Sequence, residues 1–294
     1  MSPYPDGLRT QIEEYLAALR FSDEPLTGRL VESMRYSLLA GGKRIRPVLA
    51  LATARAIGRD ERELLPIAAA IELIHTYSLI HDDLPAMDDD SLRRGMPTNH
   101  VKFGEDVAIL AGDGLYAEAF RHVLTQQRGD PRDVLAAVAE LAAATGVDGM
   151  VGGQYLDVAA TGDDDTDAAL RLRRTHELKT GRLIGAAVEC VLLIAGMNGL
   201  QTSDYRDFAS ELGVLFQIVD DILDVTGTDA ALGKPRGSDE RQGKRTYVTE
   251  FGLEGARDLA SHSYDKARAS LAAAAPGGAP ELEQITDFIA TRSS

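Results

Sequence analysis

Tryptophan is absent from this 294-residue chain, and cysteine occurs once, at Cys190. A single thiol excludes an internal disulfide framework and suits a reducing compartment. No stretch sustains the alternation of a strand and β-branched runs are short, whereas alanine is plentiful, so an all-α chain is expected. Positive charge is the scarcer sign: 31 lysines and arginines against 46 acidic residues leave a net charge of −15. That balance argues against nucleic acid held through its phosphate backbone. It also means that an anionic ligand must be held by metals and a few placed cations, against the field of the whole chain. Long hydrophobic runs are missing too. Residues 1–16 carry acidic groups and no signal-like apolar segment. The most apolar stretch, residues 184–196, is interrupted by Glu189 and too short to span a bilayer. The expectation is a soluble, cytoplasmic protein without an integral membrane segment.

What is present begins with an apolar content of 44%, ample for a buried core. No linker-like shift in composition divides the chain, so residues 1–294 are expected to form one domain. Helices are expected at about 63–81, 106–127, 132–144, 167–179, 182–195 and 203–224, the last capped by Ser203. Gly41 and Gly42 end one helix and Pro47 stands in the first turn of the next. Glycines at 146, 149, 152 and 153 mark close packing or a kink. Residues 226–245, rich in glycine and charge, read as a loop, and two helices separated by residues 276–280 close the chain.

Two aspartate clusters dominate the pattern. One is HDDLPAMDDD at 81–90; the other is DDILD at 220–224. Each follows an apolar segment. Carboxylates crowded beside apolar surface are costly unless cations join them. Hard oxygen donors suit Mg²⁺, which keeps waters and completes its shell with substrate phosphates. On a wheel of ~100° per residue, Gln217, Asp220, Asp221 and Asp224 share one stripe of a helix. A solvated face is the usual meaning of such a stripe, but Phe216, Val219 and Leu223 make this helix too apolar to lie on the surface. His75, Ser78 and Asp82 share a face of the earlier helix, which Pro85 breaks so that Asp88 comes from the turn beyond. A lone histidine such as His75 is more often a core residue than a ligand; the neighbouring acidic cluster shifts it toward function.

The cations gather at helix junctions: Lys43 and Arg46 in GGKRIRP, Arg93 and Arg94 after the first acidic cluster, Lys179 with Thr180, and Lys234 and Lys244 on the loop. One basic pair is ordinarily surface decoration. Several at junctions, together with two acidic clusters, point to a diphosphate site.

The segments GGKRIRP, HTYSLIHDDLPAMDDDSLRRGMPTNH, GGQYLD, HELKTG and FQIVDDILD, in that order, resemble the trans-prenyltransferases, or isoprenyl diphosphate synthases, over about residues 30–250. The spacing DDLPAMD is similar to that of bacterial farnesyl and of bacterial and plant geranylgeranyl diphosphate synthases. The resemblance implies an all-α isoprenoid-synthase helical bundle with a deep central pocket, and a homodimer. It implies that Asp82, Asp83 and Asp88, with Asp220 and Asp224, ligate three Mg²⁺ ions, Mn²⁺ being able to substitute. Arg93, Lys179, Thr180, Gln217, Lys234 and Lys244 would hold the allylic diphosphate. Lys43, Arg46, His75 and Arg94 would hold the diphosphate of isopentenyl diphosphate. Asp89 and Asp90 match acidic positions without being assigned as ligands, and Gln154 and Asp157 match a motif near the site.

The implied reaction is loss of diphosphate to give an allylic cation, attack by the isopentenyl double bond, and loss of a proton. It needs no protein nucleophile. Tyr77, five residues before the paired aspartates, with Ser78 beside it, matches the position near the pocket floor; an aromatic there resembles the farnesyl enzymes. Farnesyl diphosphate is therefore the expected product, with geranylgeranyl or geranyl diphosphate as the alternative. A terpene cyclase would lack the GGKRIRP cations, a regulatory homologue would have lost part of a motif, and a phosphohydrolase would need a positioned water rather than a dry pocket.

Overall fold

Leu8, Ile12 and Leu16 fall four residues apart, and α1 (Asp6–Ala18) buries that stripe completely. The computed structural model describes residues 4–159, 168–197, 199–227 and 244–292. α2 (Gly28–Leu38) leads through a glycine turn to α3 (Ile45–Ala56), which is buried along most of its length. α4 (Leu65–Asp82) is buried on all sides between Pro66 and Ile74, and apolar there apart from Glu72, as suits a helix at the middle of a bundle. It ends at the paired aspartates, with Asp83 at its C-cap. A two-residue hairpin follows, β1 (Leu92–Arg93) against β2 (Met96–Pro97), a small departure from the purely helical expectation.

α5 (Asn99–Phe103) and α6 (Glu105–Gln126) come next, and α6 lies along α4. Gly112 lets the two approach: a Cβ there would stand 2.5 Å from His81 Cδ2. α7 (Pro131–Thr145) and α8 (Met150–Val158) are separated at the expected glycines. α9 (Ala168–His176) runs into a π-turn, Glu177–Gly181, and then α10 (Arg182–Ile194), whose buried face packs on α7, α3 and α11. α11 (Ser203–Thr226) carries the second aspartate cluster, and α12 (Tyr247–Ala274) packs along it. A reciprocal Thr246–Thr249 capping box starts α12. α13 (Pro280–Thr291) closes against α3, α11 and α12.

Among the described residues the expected helices are present, the one expected to reach 179 giving way to the π-turn after His176, and the bundle is all-α apart from that hairpin. One cap differs. Ser203 is the first residue of α11, and Thr202 occupies the cap position without a side-chain cap bond. Among the described residues, two stretches are long and apolar enough to cross a membrane by length and composition alone, Glu61–Asp82 and Pro131–Val158. Their apolarity is that of core helices in part: 67% of the first window is buried inside the bundle and 39% of the second.

Candidate active site

The C-terminal end of α4, the π-turn and the C-terminal half of α11 converge on one cavity of about 750 Å³. Its wall includes Arg46, His75, Tyr77, Ser78, Asp82, Asp88, Arg93, Arg94, Lys179, Thr180, Gln217, Asp220, Asp224 and Lys244. The two acidic clusters, about 140 residues apart in sequence, thus share one space. Lys234 lies outside the described residues.

On the first bank, burial and the neighbouring Asp88 push the Asp82 carboxyl up to about 6, against the opposing pull of Lys179, Arg93 and Lys244. Asp83 stands one layer back. Arg93 donates Nε–H and Nη2–H to its Oδ1 at 2.8 and 2.5 Å. Burial raises the Asp83 carboxyl and the Arg93 fork opposes it. Asp89 and Asp90 do not reach the wall, and Asp89 takes a left-handed φ of 53° in the turn. Lys244 Nζ donates to Asp88 Oδ1 at 2.8 Å.

On the second bank, Gln217 and Asp224 face the cavity with Asp220. Asp221, from the same stripe, is a structural brace. It accepts from Gln217 Nε2 and from the Tyr247 backbone N–H, both at 2.8 Å, tying α11 to the start of α12. Thr180 donates to Gln217 Oε1 at 2.9 Å. Asp220 accepts from Arg292 at 2.6 Å, a partner unnoticed in the sequence.

Lys179 sits on the π-turn, an irregularity common at functional sites. Gly153 of α8 presses against that turn: a Cβ there would come within 2.6 Å of Lys179 Cα, so the GGQYLD glycine serves a close approach. Lys179 Nζ donates to Asp157 Oδ2 at 2.6 Å, and Lys244 lies 3.8 Å from the same oxygen. Burial would raise the Asp157 carboxyl, but Lys179 and Lys244 outweigh it and hold it below the usual range. Gln154 reaches the wall, and both its amide atoms are buried with no hydrogen-bond partner among the described residues.

A third group of side chains forms a basic corner. Arg46 Nη1 lies 3.5 Å from His75 Nε2, and Arg94 donates to the Gly41 carbonyl. Burial, with Arg46 and Arg94 nearby, drives His75 well below its ordinary pKa, so it is a neutral imidazole. Lys43 departs from the expected set. It is not on the wall; its ammonium lies 5.3 Å over the Phe288 ring of α13. Arg44 is the residue that sequence reasoning passed over. Held at a left-handed φ of 53°, it turns inward and pairs with the buried Glu72 at 2.6 Å. Glu72, a lone acid within apolar α4, was the available signal for that pair.

No three His, Cys, Asp or Glu side chains among the described residues converge closely enough to hold a metal alone. The donor set still fits Mg²⁺. Two banks of carboxylate oxygens face one cavity, and the raised Asp82 carboxyl lacks sufficient cationic compensation from the protein. Mg²⁺ is typically held by one or two carboxylates and completed by waters and substrate phosphates.

The family model for polyprenyl synthetase matches residues 28–274. A farnesyl diphosphate synthase of Geobacillus stearothermophilus is 46% identical over 90% of this chain and 89% of its own length. Geranylgeranyl pyrophosphate synthase 7 of Arabidopsis thaliana is 42% identical over 99% of this chain and 84% of its own. A solved geranyltransferase from Helicobacter pylori, complexed with magnesium and isoprenyl diphosphate, superposes with a TM-score of 0.85 at 31% identity, covering 97% of this chain and 94% of that one.

Proposed function

The chain belongs to the polyprenyl synthetase family and is a short-chain prenyltransferase of isoprenoid-synthase fold; from that premise we propose that it condenses isopentenyl diphosphate with dimethylallyl and geranyl diphosphates and stops at farnesyl diphosphate. The observation carrying this reading is one cavity that joins two carboxylate banks, a basic corner and an apolar recess. Asp82, Asp83 and Asp88 on one bank, with Asp220 and Asp224 on the other, would hold three Mg²⁺ ions. The family depends on this metal. When bound, Mg²⁺ neutralises charge on the leaving diphosphate.

The chain's own residues do the rest. Arg93, Lys179, Thr180, Gln217 and Lys244, with Lys234, grip the allylic diphosphate and stabilise it as the C–O bond breaks. Arg46, His75 and Arg94 hold the isopentenyl diphosphate, the neutral His75 as a hydrogen-bond donor. Lys43 joins them once it leaves Phe288. The two diphosphates are thereby oriented so that the isopentenyl double bond meets the allylic cation. The departing diphosphate accepts the proton. Met87, Met150 and Leu223 line the same space with apolar surface, which excludes the water that would quench the cation.

The length limit is assigned to Tyr77. Its ring stands on the cavity wall between His81 at 5.3 Å and Tyr116 at 5.0 Å, centroid to centroid. Ser78 beside it adds little bulk. We further propose a cytoplasmic homodimer acting as one domain. Val151, Tyr155 and Val158 project from one face of α8 at the open side of the cavity, with Tyr155 70% exposed, and a second chain would cover such a face.

Incubating the protein with Mg²⁺, isopentenyl diphosphate and dimethylallyl diphosphate, then sizing the dephosphorylated products, tests the reading. Fifteen carbons are expected. A twenty-carbon product would favour the geranylgeranyl alternative.

A further inference from the structure

The π-turn that carries Lys179 is a partition between two cavities. Lys179 and Thr180 face the site described above, whereas His176, Glu177 and Gly181 line a separate cavity of about 360 Å³. α11 divides in the same way. Gly213 and Val214 face the second cavity, Phe216 and Gln217 the first. α7, α9, α10 and the start of α12 complete the second wall, and α3, α4 and α13 contribute nothing to it. Its volume suits a small organic molecule.

The charges on this wall are unevenly matched. Arg206 donates Nε–H and Nη2–H to the two oxygens of Glu189 at 2.7 and 2.8 Å. Glu177 pairs at 3.1 Å with Arg174, which lies off the wall. Arg182 is poorly served: Glu140 stands 3.4 Å away, and Nε is buried without a partner among the described residues. Burial raises the Glu140 carboxyl against the pull of Arg182, which weakens that pair further. Arg173 forms no ion pair among the described residues. Two guanidinium groups on this wall therefore lack a strong acidic partner. The planar fork of a guanidinium matches a carboxylate.

Glycine backbone and apolar side chains form the rest of the wall. A Cβ at Gly213 would stand 3.0 Å from Gly181 Cα, so α11 and the turn meet backbone to backbone. One turn further along α10, a Cβ at Gly185 would meet nothing within 4 Å, because the helix there opens to the cavity. Val188, Ala209 and Tyr247 stand beside these glycines. Backbone bare of side chains leaves room for a flat ring, and the apolar neighbours remove it from water.

We propose that this cavity is a regulatory site for a small aromatic carboxylate, and that filling it weakens the allylic diphosphate site across the π-turn. The two cavities share hydrogen-bonded parts. Thr180 donates to Gln217, Gln217 donates to Asp221, and Asp221 also accepts from the amide of Tyr247 on the second wall. Both ligands are anions, so one bound behind the turn disfavours the other in front of it. Linkage makes the effect reciprocal. The coupling rests on the reading of Lys179 and Thr180 as allylic diphosphate ligands; binding in the second cavity does not.

Calorimetric titration of the full chain with 2-naphthoate tests the site. Saturable binding at one site is expected, with neutral 2-naphthalenemethanol at least about tenfold weaker, the loss of a charge-assisted contact. Gly185→Leu fills the cavity with a better helix former, and is expected to abolish binding while keeping native prenyl transfer. In kinetics, 2-naphthoate is expected to raise the KM for geranyl diphosphate at least about fivefold and then level off. The KM for isopentenyl diphosphate should not change, and Gly185→Leu should show no rise. Geranyl diphosphate with Mg²⁺ should weaken 2-naphthoate by the same factor. Absence of saturable binding, binding kept by Gly185→Leu, or equal binding of the alcohol overturns the assigned site. A KM that climbs without limit and does so equally in Gly185→Leu marks competition inside the prenyl pocket and overturns it too. Binding that leaves the KM for geranyl diphosphate unchanged overturns the coupling. Circular dichroism monitors folding; should Gly185→Leu fail to fold, Arg182→Gln carries the same expectation of lost binding and the same overturning result. A chain that transfers no prenyl group overturns the reading of the active site, while the calorimetry still decides the second cavity.

Discussion

Arg292 donates to Asp220 across 2.6 Å and to the Phe216 carbonyl at 3.0 Å, while its guanidinium lies 4.2 Å over the Phe216 ring. Arg46 lies over the same ring at 5.7 Å. The residue just beyond α13 therefore occupies one of the carboxylates assigned to metal. Only 9% of the Arg292 side chain is exposed, against 43% for Asp220. The guanidinium must leave Asp220, or share it, when a cation arrives.

Arg292→Ala is therefore expected to lower the Mg²⁺ concentration for half-maximal turnover by about three- to tenfold, the scale of a partly exposed ion pair worth about 1 kcal/mol. Arg292→Lys should keep most of the native requirement. Turnover measured against Mg²⁺ at saturating substrates reads this directly. An unchanged requirement in the alanine variant would show that the pair does not compete with metal.

Removing a carboxylate from either bank should cost far more than removing its ion-pair partner. Asp82→Ala and Asp220→Ala are each expected to reduce turnover by at least about a hundredfold, the scale of a lost electrostatic contact to the transition state. Exhaustive chelation should abolish it. Near-native turnover in both variants would remove these residues from the metal assignment.

The basic groups should separate into two sets. Arg46→Ala and His75→Ala are expected to weaken isopentenyl diphosphate by about tenfold or more and to spare the allylic substrate. Lys179→Ala should do the reverse. Lys43→Ala should show the smaller effect of its set, because Lys43 must first leave the Phe288 ring. Separate titrations of the two substrates decide it, and equal effects on both would contradict the two-pocket arrangement.

His176 gives the fold a pH dependence of its own. Its Nδ1 is buried without a partner among the described residues, and its ring lies 5.4 Å from that of Tyr247. Burial, aided by Lys179 and opposed by Asp157, pushes its pKa down to about 4. Between about pH 6.5 and 4 the unfolded chain binds a proton that the folded chain refuses, so the contribution is full above the unfolded value and is lost as pH falls. About 3 kcal/mol is at stake across that window, of which about 2 kcal/mol is lost by pH 5. Urea melts at pH 7.5 and pH 5 should show His176→Gln losing less stability on acidification than the native protein. Equal losses would mean that His176 is protonated in the folded state.

Much of this site was legible because its chemistry is local in sequence. Asp82 and Asp83 end one helix with Asp88 in the turn just beyond, Gln217, Asp220 and Asp224 recur at helical spacing, and GGKRIRP marks a junction. What escaped depends on contacts between distant elements. Arg44 and Arg46 look alike in the motif, yet Glu72 draws Arg44 into the core. Lys43 resembles its neighbours until Phe288 of α13 supplies a ring for it. Asp221 shares the stripe with Asp220 and Asp224, and only the Tyr247 amide shows that it serves as a brace. Arg292 belongs to no motif and reaches Asp220 only through the packing of α13. Tyr116 is one more aromatic on α6 until the approach at Gly112 brings α4 against it.

The most direct test offers radiolabelled isopentenyl diphosphate with dimethylallyl, geranyl or farnesyl diphosphate as sole acceptor, in Mg²⁺, and sizes the chains formed. Dimethylallyl and geranyl diphosphates should both be carried to fifteen carbons, and farnesyl diphosphate should accept nothing. Ready elongation of farnesyl diphosphate would contradict the length limit at Tyr77, and no incorporation with any acceptor would contradict the proposed prenyl transfer in this cavity.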